Sequence, residues 1–317
     1  MRRNEGKGVL GRLNRFNGDM IHLTHTDLDA VCCDAIFRRK YGDVLTIFSS
    51  VQDYTAYLDL FARVQRSTNL TLCLSDLGGR ESAIESVNRL KRNGWRIEWR
   101  DHHIWERPVL EDAKHAVDYL CVNREFCACE IVCQDLLKSD LTAQEIAAIG
   151  RDRDFWINED PRSEVLSTAI SDDASREMIA SKLALGIFTD PEIEHLYAVQ
   201  TAQKNKSTND ALQTSAVFDH TAITISNGYT SDVAAMLRER YNSRTELILR
   251  ANGSFSVRTV APVSNQIAMQ FDGGGHPHAA GGNLHFSIAD RIGFRLFAYR
   301  VKKVRELIEA ASRFDQP

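Results

Sequence analysis

The chain has 317 residues, a formal net charge of −4, 43% hydrophobic and 26% charged residues, a composition that suits a globular protein of two domains. That acidic balance excludes a protein that coats nucleic acid through a broadly basic surface, because bulk phosphate binding needs many Lys and Arg. No window approaches the roughly 18 consecutive apolar residues of a membrane span, so no membrane partner is expected.

Residues 1–15 are basic and Gly-rich, lack the apolar stretch of a secretory signal and are expected as a frayed tail. A strand is expected at 20–24, ending in His25-Thr26-Asp27-Leu28-Asp29, then a helix at 30–39 and a strand at 43–48. A helix at 55–64 precedes a strand at 70–74 that stops at Ser75-Asp76. A helix at 80–93, closed by Gly94, leads to a strand at 96–99 that runs into Asp101-His102-His103. One more strand fits 116–122, and 126–155 and 165–185 are helical.

Thr189-Asp190-Pro191 is a break, and the polar stretch after it reads as a linker. The expected organisation is a catalytic domain over 1–186, a linker over 187–214 and a smaller domain over 215–317. In the latter, an alternating stretch at 216–225 precedes a helix at 231–241, capped by Ser231. Strands at 245–250 and 254–260 pair through Asn252-Gly253, a strong hairpin signal. A helix at 263–271, a glycine-rich loop, a strand at 283–288 and a helix at 294–311 complete the chain.

Strands alternating with helices predict an α/β fold with a parallel sheet, whose ligands bind outside the carboxyl ends of the strands. Three acidic or histidine motifs stand at three such ends. The seven cysteines, an odd count, are expected as reduced thiols in a cytoplasm. Cys121, Cys127, Cys129 and Cys133 include no CxxC pair, so they are expected to pack rather than to hold zinc.

His25, Asp27, Asp29, Asp76, His102 and the pair Asp152 and Asp154 offer oxygen and nitrogen donors, suited to Mn, Mg or Fe. On an extended segment the HxDxD spacing turns alternate side chains the same way, so His25, Asp27 and Asp29 are expected to face one site. Two divalent ions, roughly 3.5–4 Å apart, suit phosphoester hydrolysis: they lower the pKa of a water between them and neutralise phosphoryl charge. His103 fits the task of hydrogen-bonding a phosphate oxygen or assisting the leaving group. Gly273, Gly274 and Gly275 are expected to form an anion nest. His276 and His278 can donate to phosphate, and Arg258 can clamp it. Lys and Arg are scattered, so a short single strand or a dinucleotide, its base stacked on an aromatic ring, suits better than a duplex.

His25-Thr26-Asp27-Leu28-Asp29, Ser75-Asp76, Asp101-His102-His103 and Asp152-Arg153-Asp154-Phe155-Trp156 resemble the four successive motifs of the DHH phosphoesterase superfamily. The segment Gly273-Gly274-Gly275-His276-Pro277-His278-Ala279-Ala280-Gly281-Gly282 resembles the signature of its associated C-terminal domain. The resemblance implies a two-domain protein, RecJ-like or nanoRNase-like, with its active site between the domains. It implies a dimanganese centre, with Mg2+ or Co2+ as substitutes, held by His25, Asp27, Asp29, Asp76, His102 and one of Asp152 and Asp154, with Asp154 favoured. Asp76 would bridge, Asp101 would orient a neighbouring histidine, and His103 would face the phosphate. The substrate implied is a short oligoribonucleotide, a single-stranded RNA or DNA, or a linear or cyclic dinucleotide. A nucleoside 3′,5′-bisphosphate and a non-catalytic nucleotide sensor are the alternatives, and a homodimer is possible. Val31-Cys32-Cys33 stands where relatives often carry Gly-Ser, and the first motif is shorter than the HxxxDxD of many relatives.

Overall fold

The computed structural model describes residues 3–64 and 70–314. The chain divides into two compact units, Met1–Gln200 and Thr201–Pro317.

The first unit is built on a five-stranded sheet in the order β2-β1-β3-β4-β5. Its strands are β1 (Met20–Thr24), β2 (Leu45–Phe48), β3 (Thr71–Ser75), β4 (Arg96–Asp101) and β5 (Tyr119–Val122), and every pairing is parallel. The connecting helices are α2 (Leu28–Tyr41), α3 (Tyr54–Phe61), α4 (Glu81–Arg92) and α5 (Arg107–Ala116). The chain leaves β1 toward β2, then returns across β1 to β3, so the winding reverses between β1 and β3. Such a switch point opens a crevice at the carboxyl ends of the two strands, and the first two motifs stand there.

Residue parity explains the two cores. Ile21, Leu23, Leu72, Leu74, Ile97 and Trp99 share one face of the sheet and pack with the core that holds α3, α4 and α5. The alternate residues His22, Thr24, Ser75, Glu98 and Arg100 are buried on the other face. Hydrogen bonds link the polar groups of that face: His22 Nε2 lies 2.8 Å from Ser75 Oγ, and Thr24 Oγ1 lies 2.8 Å from the same hydroxyl. A second core there gathers α2 with α6 (Ala128–Leu136), α7 (Leu141–Asp154), α8 (Pro161–Ala169) and α9 (Asp173–Ala184). Asp140 caps α7 by accepting from Ala143 N at 2.9 Å, which divides the expected helix over 126–155 in two.

One expectation for this unit is corrected. Residues 3–15 form a helix, α1 (Arg3–Arg15), rather than a frayed tail. The reason is apolar spacing: Leu13 is buried in the core, and Val9, Leu10 and Phe16 pack against it. Met1 and Arg2 lie outside the described residues. Helix α5 is absent from the sequence reading; Pro108 sits in its first turn, where a missing N–H does no harm.

A 23-residue helix, α10 (Pro191–Gln213), occupies most of the stretch read as a linker, and the boundary between the units falls inside it. The second unit holds a six-stranded mixed sheet in the order β10-β11-β9-β8-β7-β6. Its strands are β6 (Ala216–Phe218), β7 (Thr221–Ile225), β8 (Thr245–Leu249), β9 (Ser254–Thr259), β10 (Gly274–His276) and β11 (Ala279–Asn283). Helices α11 (Thr230–Tyr241), α12 (Ser264–Met269), α13 (Ile288–Phe297) and α14 (Lys302–Phe314) complete the unit. The hairpin through Gly253, at φ 90°, joins β8 and β9 as expected. The strand expected at 283–288 instead ends at Asn283. Helix α11 is entered through Tyr229 in the left-handed conformation, not through a Ser231 cap. No helix among the described residues is long and apolar enough to cross a membrane.

Candidate metal centre

The first motif does not leave β1 as an extended strand. Asp27 is the N-cap of α2: its Oδ1 accepts from Ala30 N at 3.2 Å, while its Oδ2 lies 2.8 Å from His25 Nδ1. Asp29 therefore stands in the first turn of the helix. The strand alternation expected for HxDxD is replaced by a strand end, a cap and a helical turn. Asp29 is buried, and its carboxylate accepts from Ala128 N at 2.7 Å and Cys129 N at 2.8 Å, the free amides at the start of α6. A helix N-terminus favours an anion for this reason.

Asp76 follows β3 in a left-handed conformation, φ 54°. Its Oδ1 lies 3.3 Å from His102 Nε2 and its Oδ2 3.7 Å from His25 Nδ1. His102 lies 3.9 Å from Asp29 Oδ2 through Nε2 and 3.5 Å from Asp154 Oδ2 through Nδ1. Three overlapping groups result, His25/Asp27/Asp76, Asp76/His102/His103 and Asp29/His102/Asp154, each with donor atoms within 4.8 Å of one another. Asp76 belongs to two of them, and so does His102.

Asp152 is placed elsewhere. Its Oδ1 accepts from Glu159 N at 2.8 Å and Asp160 N at 3.1 Å, and its Oδ2 accepts from the Ser163 hydroxyl. Burial pushes its pKa up, but these bonds outweigh that and hold it below the ordinary carboxylate value. Of the two aspartates left open by the sequence, Asp154 faces His102 and Asp152 braces the loop ahead of α8.

Burial and neighbouring negative charge push Asp29 up to about 6 and Asp76 well above its ordinary value. Burial also raises Asp154. Asp27 is pushed up by desolvation too, but the His25 hydrogen bond and charge outweigh that and hold it low. The buried Oδ2 of Asp76 has no hydrogen-bond partner among the described residues. A buried carboxylate oxygen without a partner is costly, and a divalent cation would satisfy it. The donors are oxygen and imidazole nitrogen, which fit Mn2+, Mg2+ or Co2+.

Asp101 is wholly buried and serves His103. Its Oδ1 lies 2.8 Å from His103 Nδ1, and its Oδ2 accepts from His103 N at 3.2 Å and from Trp105 Nε1 at 2.5 Å. The Asp101 hydrogen bond raises the His103 pKa. The Trp105 and α6 amide contacts are missing from the sequence reading. The amides carry no side-chain signal, and they come from residues about 100 positions away from Asp29.

Cys127 and Cys129 lie beside Asp29, their sulfurs 3.4 Å apart. Burial pushes Cys127 up to about 12 and Cys129 well above its ordinary value. Both are packed in the core that gathers α2, α6 and α7.

In the second unit, the glycine-rich segment is a hairpin rather than an anion nest. Gly274–His276 pairs antiparallel with Ala279–Gly281, and of Gly273, Gly274 and Gly275 only Gly275 has positive φ, at 140°. A Cβ on Gly273 would stand 2.2 Å from Gly281 O, so close backbone packing explains that glycine. His276 and His278 are exposed at the hairpin end, and His278 Nδ1 lies 3.2 Å from Thr259 O. Arg258 pairs with Ala279 across the sheet, beside them. These residues form a group of their own within the unit.

No protein-family model matches the sequence, and no curated protein matches it. Solved structures do. The DHH domain of a member of the s1p family of ribosomal proteins is similar at 16% identity and a TM-score of 0.61, over 98% of this chain and 90% of that one. A pGpG-specific phosphodiesterase, PggH of Vibrio cholerae, is similar at 11% identity and a TM-score of 0.56, over 92% and 99%. RecJ of Thermus thermophilus, in complex with Mn2+, is similar at 17% identity and a TM-score of 0.52, over 99% of this chain and 55% of that one. At these identities the likeness is one of fold.

Proposed function

We propose that this chain, which has the DHH-domain fold, is a metal-dependent phosphoesterase that hydrolyses phosphodiester bonds of short oligoribonucleotides or dinucleotides to nucleoside 5′-monophosphates. The observation that carries the reading is Asp76: a buried carboxylate between two histidines, with one oxygen left unpartnered. Two Mn2+ ions would supply a nucleophile near neutral pH and neutralise phosphoryl charge. Asp27 and His25 would hold one ion, Asp29, His102 and Asp154 the other, and Asp76 both. Asp29 is kept in place by the α6 amides. Asp101 holds Nδ1 of His103, so Nε2 is the atom that hydrogen-bonds a phosphate oxygen or passes a proton to the leaving oxygen. Arg258, His276 and His278 would bind the substrate's terminal phosphate. The pGpG activity of the Vibrio protein and the Mn2+ in RecJ support the substrate class and the ion.

The test is a Mn2+-supplemented panel of dinucleotides, short RNAs, cyclic dinucleotides, a nucleoside 3′,5′-bisphosphate and pyrophosphate. Hydrolysis of the diesters, abolished by EDTA and restored by Mn2+, is expected. Turnover of no member by metal-loaded protein overturns the reading in favour of a nucleotide sensor.

A further inference from the structure

The end of α7 carries an exposed aromatic pair that core packing does not explain. Phe155 is 40% exposed and Trp156 70%, whereas Trp95, Trp99 and Trp105 are buried. Large apolar side chains grouped in water mark an interaction site. The pair is held there at a conformational cost. Trp156 at φ 54° and Asn158 at φ 57° adopt the left-handed region that non-glycine residues avoid. Asp152 stabilises this loop by accepting from Glu159 N and Asp160 N, and its own carbonyl accepts from Ile157 N at 2.9 Å.

Each ring has a cation on it. The Arg153 guanidinium lies 4.6 Å from the Trp156 ring centre and is tethered to Glu164 at 3.0 Å. The Arg151 guanidinium lies 4.6 Å from the Phe155 ring centre and is tethered to Glu130 at 2.7 Å. Cation–π contacts of this kind fix ring orientation, and the exposure of Trp156 leaves most of the indole to solvent. The Phe155 ring centre is 6.4 Å from that of His102, so the pair begins at the edge of the metal centre.

Resting on the phosphoester reading above, we infer that Trp156, with Phe155 beside it, is a stacking platform for a nucleobase of the substrate. A flat aromatic surface backed by arginines suits a base joined through ribose to a phosphate. Inorganic pyrophosphate or polyphosphate would have no use for it. Trp156 is thus a specificity-determining residue.

The experiment compares binding of adenosine 5′-monophosphate and ribose 5-phosphate by calorimetry, in the full chain and in its Trp156→Ala and Trp156→Phe variants. The wild type is expected to prefer the nucleotide by roughly 10–100-fold, the size of one base–aromatic stack. Trp156→Ala should abolish the preference and Trp156→Phe should keep most of it. Adenosine monophosphate should also shield tryptophan fluorescence from acrylamide, because Trp156 is the exposed indole. Equal affinities in the wild type, a preference that survives Trp156→Ala, or no nucleotide binding at millimolar concentration overturns the inference. None of these readouts needs turnover, so failure of the hydrolysis panel and failure of the platform are separate results.

Discussion

Asp101 Oδ1 lies 2.8 Å from Nδ1 of His103, and this contact decides which nitrogen of the imidazole is left for chemistry. The neighbouring His102 instead lies between Asp76, 3.3 Å from its Nε2, and Asp154, 3.5 Å from its Nδ1. Adjacent histidines of one triplet thus have different partners. His103→Ala is expected to lower kcat by roughly 10²–10⁴-fold, the range for loss of a general acid or base, with both ions retained by elemental analysis. Asp101→Asn should fall between that variant and the wild type. Loss of metal from His103→Ala would make His103 a ligand instead.

The fourth motif offers a clean contrast. Asp154→Ala is expected to lose metal with little change in melting temperature of the metal-free protein. Asp152→Ala should do the reverse. It deprives two amides of their acceptor and the Ser163 hydroxyl of one of its two, at about 2 kcal/mol of stability, seen as a drop of several degrees in Tm. Metal titration and thermal unfolding of the two variants decide the matter, and an inverted pattern would exchange their roles.

Gly150 packs on Cys129, whose amide donates to Asp29 of the candidate metal centre. A Cβ there would stand 2.3 Å from Cys129 Sγ and 3.4 Å from Cys32 Sγ. Gly150→Ala is expected to cost roughly 1–3 kcal/mol as overpacking. It should also weaken metal binding, because the Cys129 amide holds Asp29. Cys129→Ala in the same chain should relieve the clash, giving a coupling of about 1 kcal/mol or more in denaturant unfolding. Additive effects would show that the contact yields elsewhere.

A pH dependence separate from catalysis comes from His22. Burial lowers its pKa, and the Asp34 carboxylate, 3.7 Å away, offsets that only in part. The folded state therefore keeps His22 neutral at a pH where the unfolded chain binds a proton. Its contribution to stability is present above the unfolded value of about 6.5 and is lost as pH falls from there through the folded value. The Asp34 pKa is lowered too, because the upward push of burial is outweighed by His22 and Arg38, so its contribution is lost at more acid pH. Between pH 7 and 5, Tm of His22→Gln is expected to fall less steeply than that of the wild type. Parallel slopes would mean that other groups carry the acid sensitivity.

The fold was largely legible because parallel strands buried on both faces leave short apolar runs, and acidic or histidine residues break those runs at their carboxyl ends. His25, Asp76 and His102 could be placed this way from local sequence alone. Helix α1 was not legible, because glycine and basic residues mask the spacing of Val9, Leu10 and Leu13. The hairpin of Gly274–His276 was not legible either. Gly273 and Gly275 serve close backbone packing, which leaves the same mark in a sequence as a ligand loop.

The donor set is written in the sequence: carboxylates and imidazoles at three strand ends, in an order that resembles one superfamily. How those donors are divided is a matter of tertiary packing. Packing set Asp154 rather than Asp152 toward His102, gave Asp101 to His103, and brought the α6 amides to Asp29. The physical reason is range. Periodicity and capping act within a few residues, whereas these contacts depend on how helices α2, α6 and α7 pack on the sheet, and no local pattern encodes that packing.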